Sequence, residues 1–381
     1  MVVGIDATNL RRGGGVTHLV ELLTAAVPEK HGIDRVVIWG GMQTLAKLPD
    51  RTWLEKVNPV ALNRGLLRRT WWQRFNLSRA AYAAGCSVLF VPGGSYAGNF
   101  NPIVTMSRNL LPFEWQELRR YGGSLTTLKL LLLRYTQSRS YRSADGVIFL
   151  TEYARQAVVN VTGKLPGKTE IIPHGLNSRF QIKPRDQRSP GEYTVQQPCR
   201  LLYVSIIDQY KHQWHVVEAV HALRLEGLSV ALDLVGPAYP AALDRLQATI
   251  ERLDPEHRWV HYHGAVPYEA LHKIYAQADL GIFASSCENM PNILLENMAA
   301  GLSVACSNRG PMPEVLGDAG LYFNPEKPAD LAQAIRKFIL SPELRDDKAK
   351  ASFERSQQYS WIRCANQTFS FLAAIAQVRQ K

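Results

Sequence analysis

Residues 278–307 read ADLGIFASSCENMPNILLENMAAGLSVACS. ADLGIFAS (278–285) and SVACS (303–307) are short runs with the length and composition of strands. Between them, Leu294, Leu295 and Met298 recur at helical spacing, and Gly301 ends the run. Two short strands joined by a single helix make a β–α–β unit, which places the strands parallel and covers the sheet with the helix.

The same alternation extends outward in both directions. RLLYVSII (200–207), SVALDLVGP (229–237), HRWVHYHG (257–264) and GLYFN (320–324) read as strands, with helices over HQWHVVEAVHALR, ALDRLQATIERL and 268–277 between them. Helices over 328–340 and 342–377 close the chain. Upstream, VVGIDA, RVVIWG (35–40), SVLFVPG (87–93), PIVTMS (102–107), GVIFLT (146–151) and TEIIPHG (169–175) repeat the theme. The stretch QIKPRDQRSPGEYTVQQPC (181–199) is polar, aperiodic and rich in Pro and Gly, so it reads as a linker. The expectation is α/β: a first domain over 1–190, a second over 200–358, and a last helix over 359–381 packing back on the first. A chain of 381 residues exceeds the size at which one core keeps growing. Ligands of such sheets bind beyond the carboxyl ends of the strands, and with two sheets the cleft between them is the default site.

Composition narrows the class. A hydrophobic content of 46% and a charged content of 20% exclude long disorder. The net charge of +11 suits an anionic partner: nucleic acid, a nucleotide-activated metabolite or an acidic bilayer. Five scattered cysteines without CxxC spacing point away from zinc and from a disulfide scaffold, and toward a reducing cytoplasm. The opening MVVGIDATNL lacks the features of a signal peptide. LTTLKLLLLRYTQ (125–137), interrupted by Lys129 and Arg134, is too short to span a bilayer.

Three stretches carry chemistry. RRGGGVTH sets Gly13, Gly14 and Gly15 before a helix, either as a loop that lets backbone amides reach an anion or as a plain tight turn. It is neither GxGxxG nor GxxxxGK[ST], so a nicotinamide or P-loop reading is weak. SIIDQYKHQWH puts Lys211 and His212 at the mouth of the second sheet, where a lysine either neutralises phosphate or is simply solvated. His215 and Trp214 read as helix or packing residues. CENMPN puts Glu288 in a strand-to-helix loop and Glu296 just over one turn into the helix, with Asn292 at its start. Glutamates there either favour the helix dipole or hold the vicinal hydroxyls of a sugar or ribose.

The spacing Glu288-x7-Glu296 with ENMAAGLSVACSNRGPMPEVLGDAGLYFNP after it, YVSIIDQYKHQWHVVEA and IIPHGLN before it, and GGGVTHLVELL at the start together resemble glycosyltransferase family 4. The resemblance is weaker over 40–165. It implies the GT-B fold, two Rossmann-like domains with parallel sheets facing across a cleft, and retaining transfer of a hexosyl group from a nucleoside diphosphate sugar to a glycan or lipid-linked hydroxyl. It also implies roles. Glu296 would hold the ribose. Glu288, with the backbone of Asn289, Met290, Pro291 and Asn292, would hold the hexose and diphosphate. Lys211 would neutralise the leaving diphosphate, with Ser205 beside it and Gly13–Gly15 closing nearby. Ile293 reads as packing. No cofactor and no metal is implied, and GDP-mannose is the donor the family favours.

Two departures stand out. Ile206 occupies the position where many members carry an arginine, so more falls on Lys211, aided by Arg309 or a side chain of the first domain. SRNLLPFE replaces a family histidine, which puts Arg108 and Asn109 in its region as catalytic candidates. His174 either lines the cleft or is structural.

Arg and Lys interleave with Trp, Tyr and Leu over 64–85 and 118–142. These segments read as core packing of Leu128 and Leu130–Leu133 with a solvated basic edge, as contact with an acidic membrane surface, or, least, as nucleic-acid binding. The rival functional classes are a sugar-nucleotide epimerase and a carbohydrate-binding protein without catalysis.

Overall fold

The computed structural model describes residues 1–11 and 13–378, so Arg12 of the RRGGG stretch and residues 379–381 lie outside the described residues. The chain divides into two units, one of 1–118, 122–175 and 359–381 and one of 119–121 and 176–358.

In the first unit seven strands form one parallel sheet: β1 (Val2–Ala7), β2 (Arg35–Gly40), β3 (Leu54–Val57), β4 (Cys86–Val91), β5 (Ile103–Met106), β6 (Gly146–Phe149) and β7 (Lys168–Ile171). Their order is β3-β2-β1-β4-β5-β6-β7. The central strands are buried on both faces, which is why they read as unbroken apolar runs. β3 has no counterpart in the sequence reading. It is a four-residue edge strand in which an exposed Glu55 and a half-buried Lys56 mask the apolar pattern. The helix Gly14–Ala25 follows β1 directly and buries Val16, Leu19, Leu22 and Leu23.

In the second unit six parallel strands, β8 (Cys199–Val204), β9 (Val230–Val235), β10 (Val260–Tyr262), β11 (Leu280–Phe283), β12 (Ser303–Ser307) and β13 (Leu321–Phe323), run in the order β10-β9-β8-β11-β12-β13. The connections reverse direction between β8 and β11. There the loops leaving the two strands splay to opposite sides and open a crevice at their carboxyl ends.

Two boundaries differ from the sequence reading. The chain enters the second unit at Leu176, so 181–199 is not a free linker. Ile182 N–H donates to Ala299 O at 2.9 Å, and Arg185 reaches Ala276 O at 3.1 Å. The fully buried Arg345 donates to Gln187 Oε1 at 3.1 Å and to Phe338 O at 2.7 Å. Aperiodic sequence is held here by side chains from elsewhere. The expected helix over 342–377 is two, Pro342–Ser356 and Trp361–Val378, and between them the chain passes back to the first unit at Tyr359. Gly175 makes that return: a Cβ there would lie 2.1 Å from Trp361 N.

No described helix is long and apolar enough to cross a membrane. The segment 125–137 belongs to a helix, Leu125–Ser143, that turns Leu130, Gln137, Ser138, Ser140 and Tyr141 inward. Leu125, Leu128, Leu131 and Leu132 are exposed, so of the leucines expected in the core only Leu130 is there.

Candidate functional site

Two loops at the reversal point of the second sheet carry the predicted residues. The loop after β8 holds Ser205 to His212, and the loop after β11 holds Ala284 to Pro291. Ser286 sews them together: its N–H donates to Tyr210 O at 2.8 Å, and its hydroxyl pairs with His212 Nε2 at 3.0 Å. His212 is buried and left-handed at φ 55°. Burial, then the nearby Arg120 and His215, push its imidazole down to about 3, so it stays neutral.

Lys211 is aimed from the first loop into the second, and its ammonium pairs with the Glu288 carboxylate. The pair is largely sheltered, the side chains 7% and 16% exposed. Tyr203 fixes the lysine's backbone by donating to Lys211 O at 2.9 Å, and the Tyr210 and Phe283 rings lie 4.9 and 5.6 Å from Nζ. A charge held this way has lost its rotamer freedom before any ligand arrives.

The helix Asn292–Ala299 begins at Pro291 and is buried through Leu294–Ala299. Glu296 is therefore enclosed. Its Oε2 accepts from Tyr275 OH at 3.0 Å, and burial pushes its carboxyl up to about 7 against that hydrogen bond. Tyr275 was not legible as a partner because it arrives from another element, 21 residues away. Asn289, Met290 and Pro291 are buried between the two glutamates, while Asn292 and Ile293 are half-buried. The turn at Gly310, with φ 56°, approaches the same loop: a Cβ there would lie 3.9 Å from Glu288 N.

Ser205 is buried, its hydroxyl bonded to Ile206 O at 3.0 Å, and the Ile206 side chain is exposed where an arginine was expected from the resemblance. Arg309 is paired with Glu326 at 3.9 Å, as is Arg120 at 2.8 Å. Arg120 and Tyr121 come from the three-residue segment that joins this unit. Tyr121 OH donates to Asp208 Oδ1 at 2.8 Å, and Asp208 O in turn accepts from Lys211 N at 3.0 Å.

In the first unit the structure brings together two predictions that were separate in sequence. The Arg108 guanidinium lies on the glycine loop, so a Cβ at Gly15 would meet its Nη1 at 2.8 Å and one at Gly14 its Nη2 at 3.8 Å. Gly13 has φ 68°, which explains the glycine there. Among the described residues no carboxylate pairs with Arg108, and burial lowers it to about 10, which leaves it charged at neutral pH. His18, one turn into the helix, is buried and its ring nitrogens have no hydrogen-bond partner. Burial, then His174 and Arg108, hold it well below the usual histidine range. His174 stacks on Trp361 at 5.7 Å and packs against His18 at 4.6 Å, a structural setting for both. Asn109 is exposed, and its side chain accepts from Leu111 N at 3.2 Å.

Among the described residues no group of three or more His, Cys, Asp or Glu is placed to hold a metal ion. The second unit thus holds a cation–carboxylate pair and an enclosed glutamate at the reversal of its sheet.

Two Rossmann-like parallel sheets define the GT-B class of α/β protein. Residues 185–355 match the family model of Glycosyl transferases group 1, and this segment contains Lys211, Glu288 and Glu296. The chain is 24% identical over 250 residues to O-antigen chain mannosyltransferase B of Escherichia coli, covering 62% of this chain and 64% of that one. It thus spans less than two thirds of that relative's length. It is 21% identical over 290 residues to alpha-maltose-1-phosphate synthase of Mycolicibacterium smegmatis, covering 72% and 73%. Sucrose-phosphate synthase from Thermosynechococcus elongatus superposes with a TM-score of 0.77 at 18% identity over 99% of this chain and 100% of that one. Anabaena HepE in complex with UDP-glucose does so with 0.69 at 18% identity over 100% and 99%.

Proposed function

We propose that the protein is a retaining hexosyltransferase that moves a sugar from a nucleoside diphosphate donor to a hydroxyl of a glycan or lipid-linked glycan. The observation that carries this reading is the Lys211–Glu288 pair at the reversal between β8 and β11, with the enclosed Glu296 on the helix that follows.

The reaction builds negative charge on the departing diphosphate while the sugar carbon turns cationic. Lys211, already oriented, opposes the first charge. The backbone N–H groups of Asn289 and Met290, ahead of the helix, add donors for phosphate or sugar oxygens, while Pro291 has none to give and that of Asn292 goes to Met290 O. Glu288 is drawn from Lys211 toward the sugar hydroxyls as the diphosphate takes its place. Glu296 takes the ribose hydroxyls. Neither glutamate is offered as a general base, and no metal is assigned a step.

GDP-mannose is the favoured donor from the mannosyltransferase relative, and a UDP-sugar is the alternative suggested by the UDP-glucose complex of HepE. The reading takes the protein as cytoplasmic and peripheral to the inner face of the cell membrane. A thermal-shift screen against nucleotide sugars tests it. One donor should raise the melting temperature of the wild type but not of Glu296→Ala. No response to any donor sinks the reading.

A further inference from the structure

Between residues 56 and 144 lie thirteen of the 44 Lys+Arg and only two of the 33 Asp+Glu, Glu114 and Glu117. That leaves 31 of each sign in the rest of the chain. The net charge of +11 therefore resides in this one stretch, and everything outside it is balanced.

Two helices of the same stretch expose large apolar side chains. The helix Leu125–Ser143 contains no acid, and Leu125, Leu128, Leu132 and Tyr135 are 87%, 65%, 61% and 65% exposed. They recur every three or four residues and so form one stripe, which Arg139 and Arg142 continue and Lys129 and Leu131 flank. This helix is largely inverted: Gln137, Ser138, Ser140 and Tyr141 face the unit beside Leu130, while four of its leucines face away. The helix Leu66–Phe75 repeats the pattern, with Leu66, Leu67, Trp71 and Phe75 exposed, Arg68 and Arg74 among them and no acid. The loop after β4 joins the two regions. Gln73 reaches Ser95 O at 3.3 Å, Ser140 Oγ accepts from Tyr96 N at 2.8 Å, and Tyr96 OH meets Ser78 Oγ at 3.2 Å.

We infer that this face is a docking surface for an acidic lipid bilayer, with the leucine and tryptophan side chains entering the headgroup–acyl boundary and the arginines and lysine on anionic headgroups. Apolar exposure alone would serve a second copy or a partner protein equally well. The exposed arginines and lysine of the two helices, with no acid on either, select an acidic surface, and the leucine stripe excludes a purely polar polyanion. The inference rests on the peripheral part of the reading above and on none of its chemistry.

The test is flotation of the full chain with vesicles of phosphatidylcholine alone or mixed with phosphatidylglycerol. The wild type should float only with the mixed vesicles and less as salt rises. Leu128→Ser/Leu132→Ser and Lys129→Glu/Arg139→Glu, all exposed and outside the donor site, should each bind them at least about tenfold more weakly. Wild type that stays behind with both vesicles overturns the proposal, as does a serine variant that floats normally. A wild-type dimer that the serine variant dissociates assigns the face to a second copy and also overturns it. Oligonucleotide retention lost in the charge variant but kept in the serine variant would assign it to nucleic acid. The thermal shift with a nucleotide sugar separates the readings: flotation without that shift fails the donor site and leaves this surface standing.

Discussion

Tyr275 donates its hydroxyl to Glu296 at 3.0 Å inside the second unit, and both side chains are buried. The pair sets a pH dependence. Burial raises the Glu296 carboxyl from the ordinary value to about 7, so the folded chain binds a proton there that the unfolded chain has already released. Folding stability from this group is therefore intact below about pH 4.5 and is lost as pH rises toward 7, by about 3 kcal/mol. Glu296→Gln should melt higher than wild type at pH 8 and no higher at pH 4.5. Differential scanning calorimetry across that range is the check. Donor affinity, if the ionised carboxylate holds the ribose, should rise over the same interval.

Lys211 and Glu288 form the second dependence. Removing one member leaves a sheltered charge without its partner, which costs about 3–5 kcal/mol in buried settings. Lys211→Met should unfold at lower denaturant than wild type, and Lys211→Met/Glu288→Gln should recover most of the loss. Both variants should lose turnover. A double variant no more stable than the single one would show that the pair does not couple.

Gly15→Ala places a methyl against the flexible end of Arg108. Its cost in stability should be under about 1 kcal/mol, since a side-chain terminus can move. Activity should fall several-fold because the guanidinium is displaced from the glycine loop. In an Arg108→Ala background the same substitution should have no further effect, read by the product of the two single effects.

Tyr121→Phe deletes the hydroxyl that holds Asp208 and, through it, the loop carrying Lys211. Loss of one such bond to a carboxylate is worth about 1.5–3 kcal/mol. Donor affinity should weaken while the melting temperature stays within a few degrees. Equal loss from Tyr121→Phe and Tyr121→Ala would identify the hydroxyl, rather than the ring packed on Tyr239 at 6.1 Å, as the part that matters.

Several features were legible because they are local. The apolar runs over β8, β11 and β12 are buried on both faces, and a strand of that kind shows itself without knowledge of its neighbours. The loop residues Lys211 and Glu288 and the helical Glu296 fall at strand ends wherever a β–α–β unit is drawn. Gly13 to Gly15 announced a loop that approaches something closely. The edge strand β3 and the fastened stretch 181–199 were not legible, since one is masked by charge and the other is held largely by groups distant in sequence, Arg345 and the carbonyls of Ala276 and Ala299 among them.

By itself the sequence determined the two parallel sheets, the reversal-point loops and the resemblance over Glu288–Glu296, because periodicity and chain order dictate all three. Tertiary structure decided the rest. It chose Tyr275 as the partner of Glu296, placed Arg108 on Gly15 across 93 residues of chain, and turned Leu125, Leu128, Leu131 and Leu132 outward. A helical period names the faces of a helix, but which face is buried depends on what packs against it. For Leu125–Ser143 the neighbours asked for hydroxyls and amides, and those leucines were left to the outside.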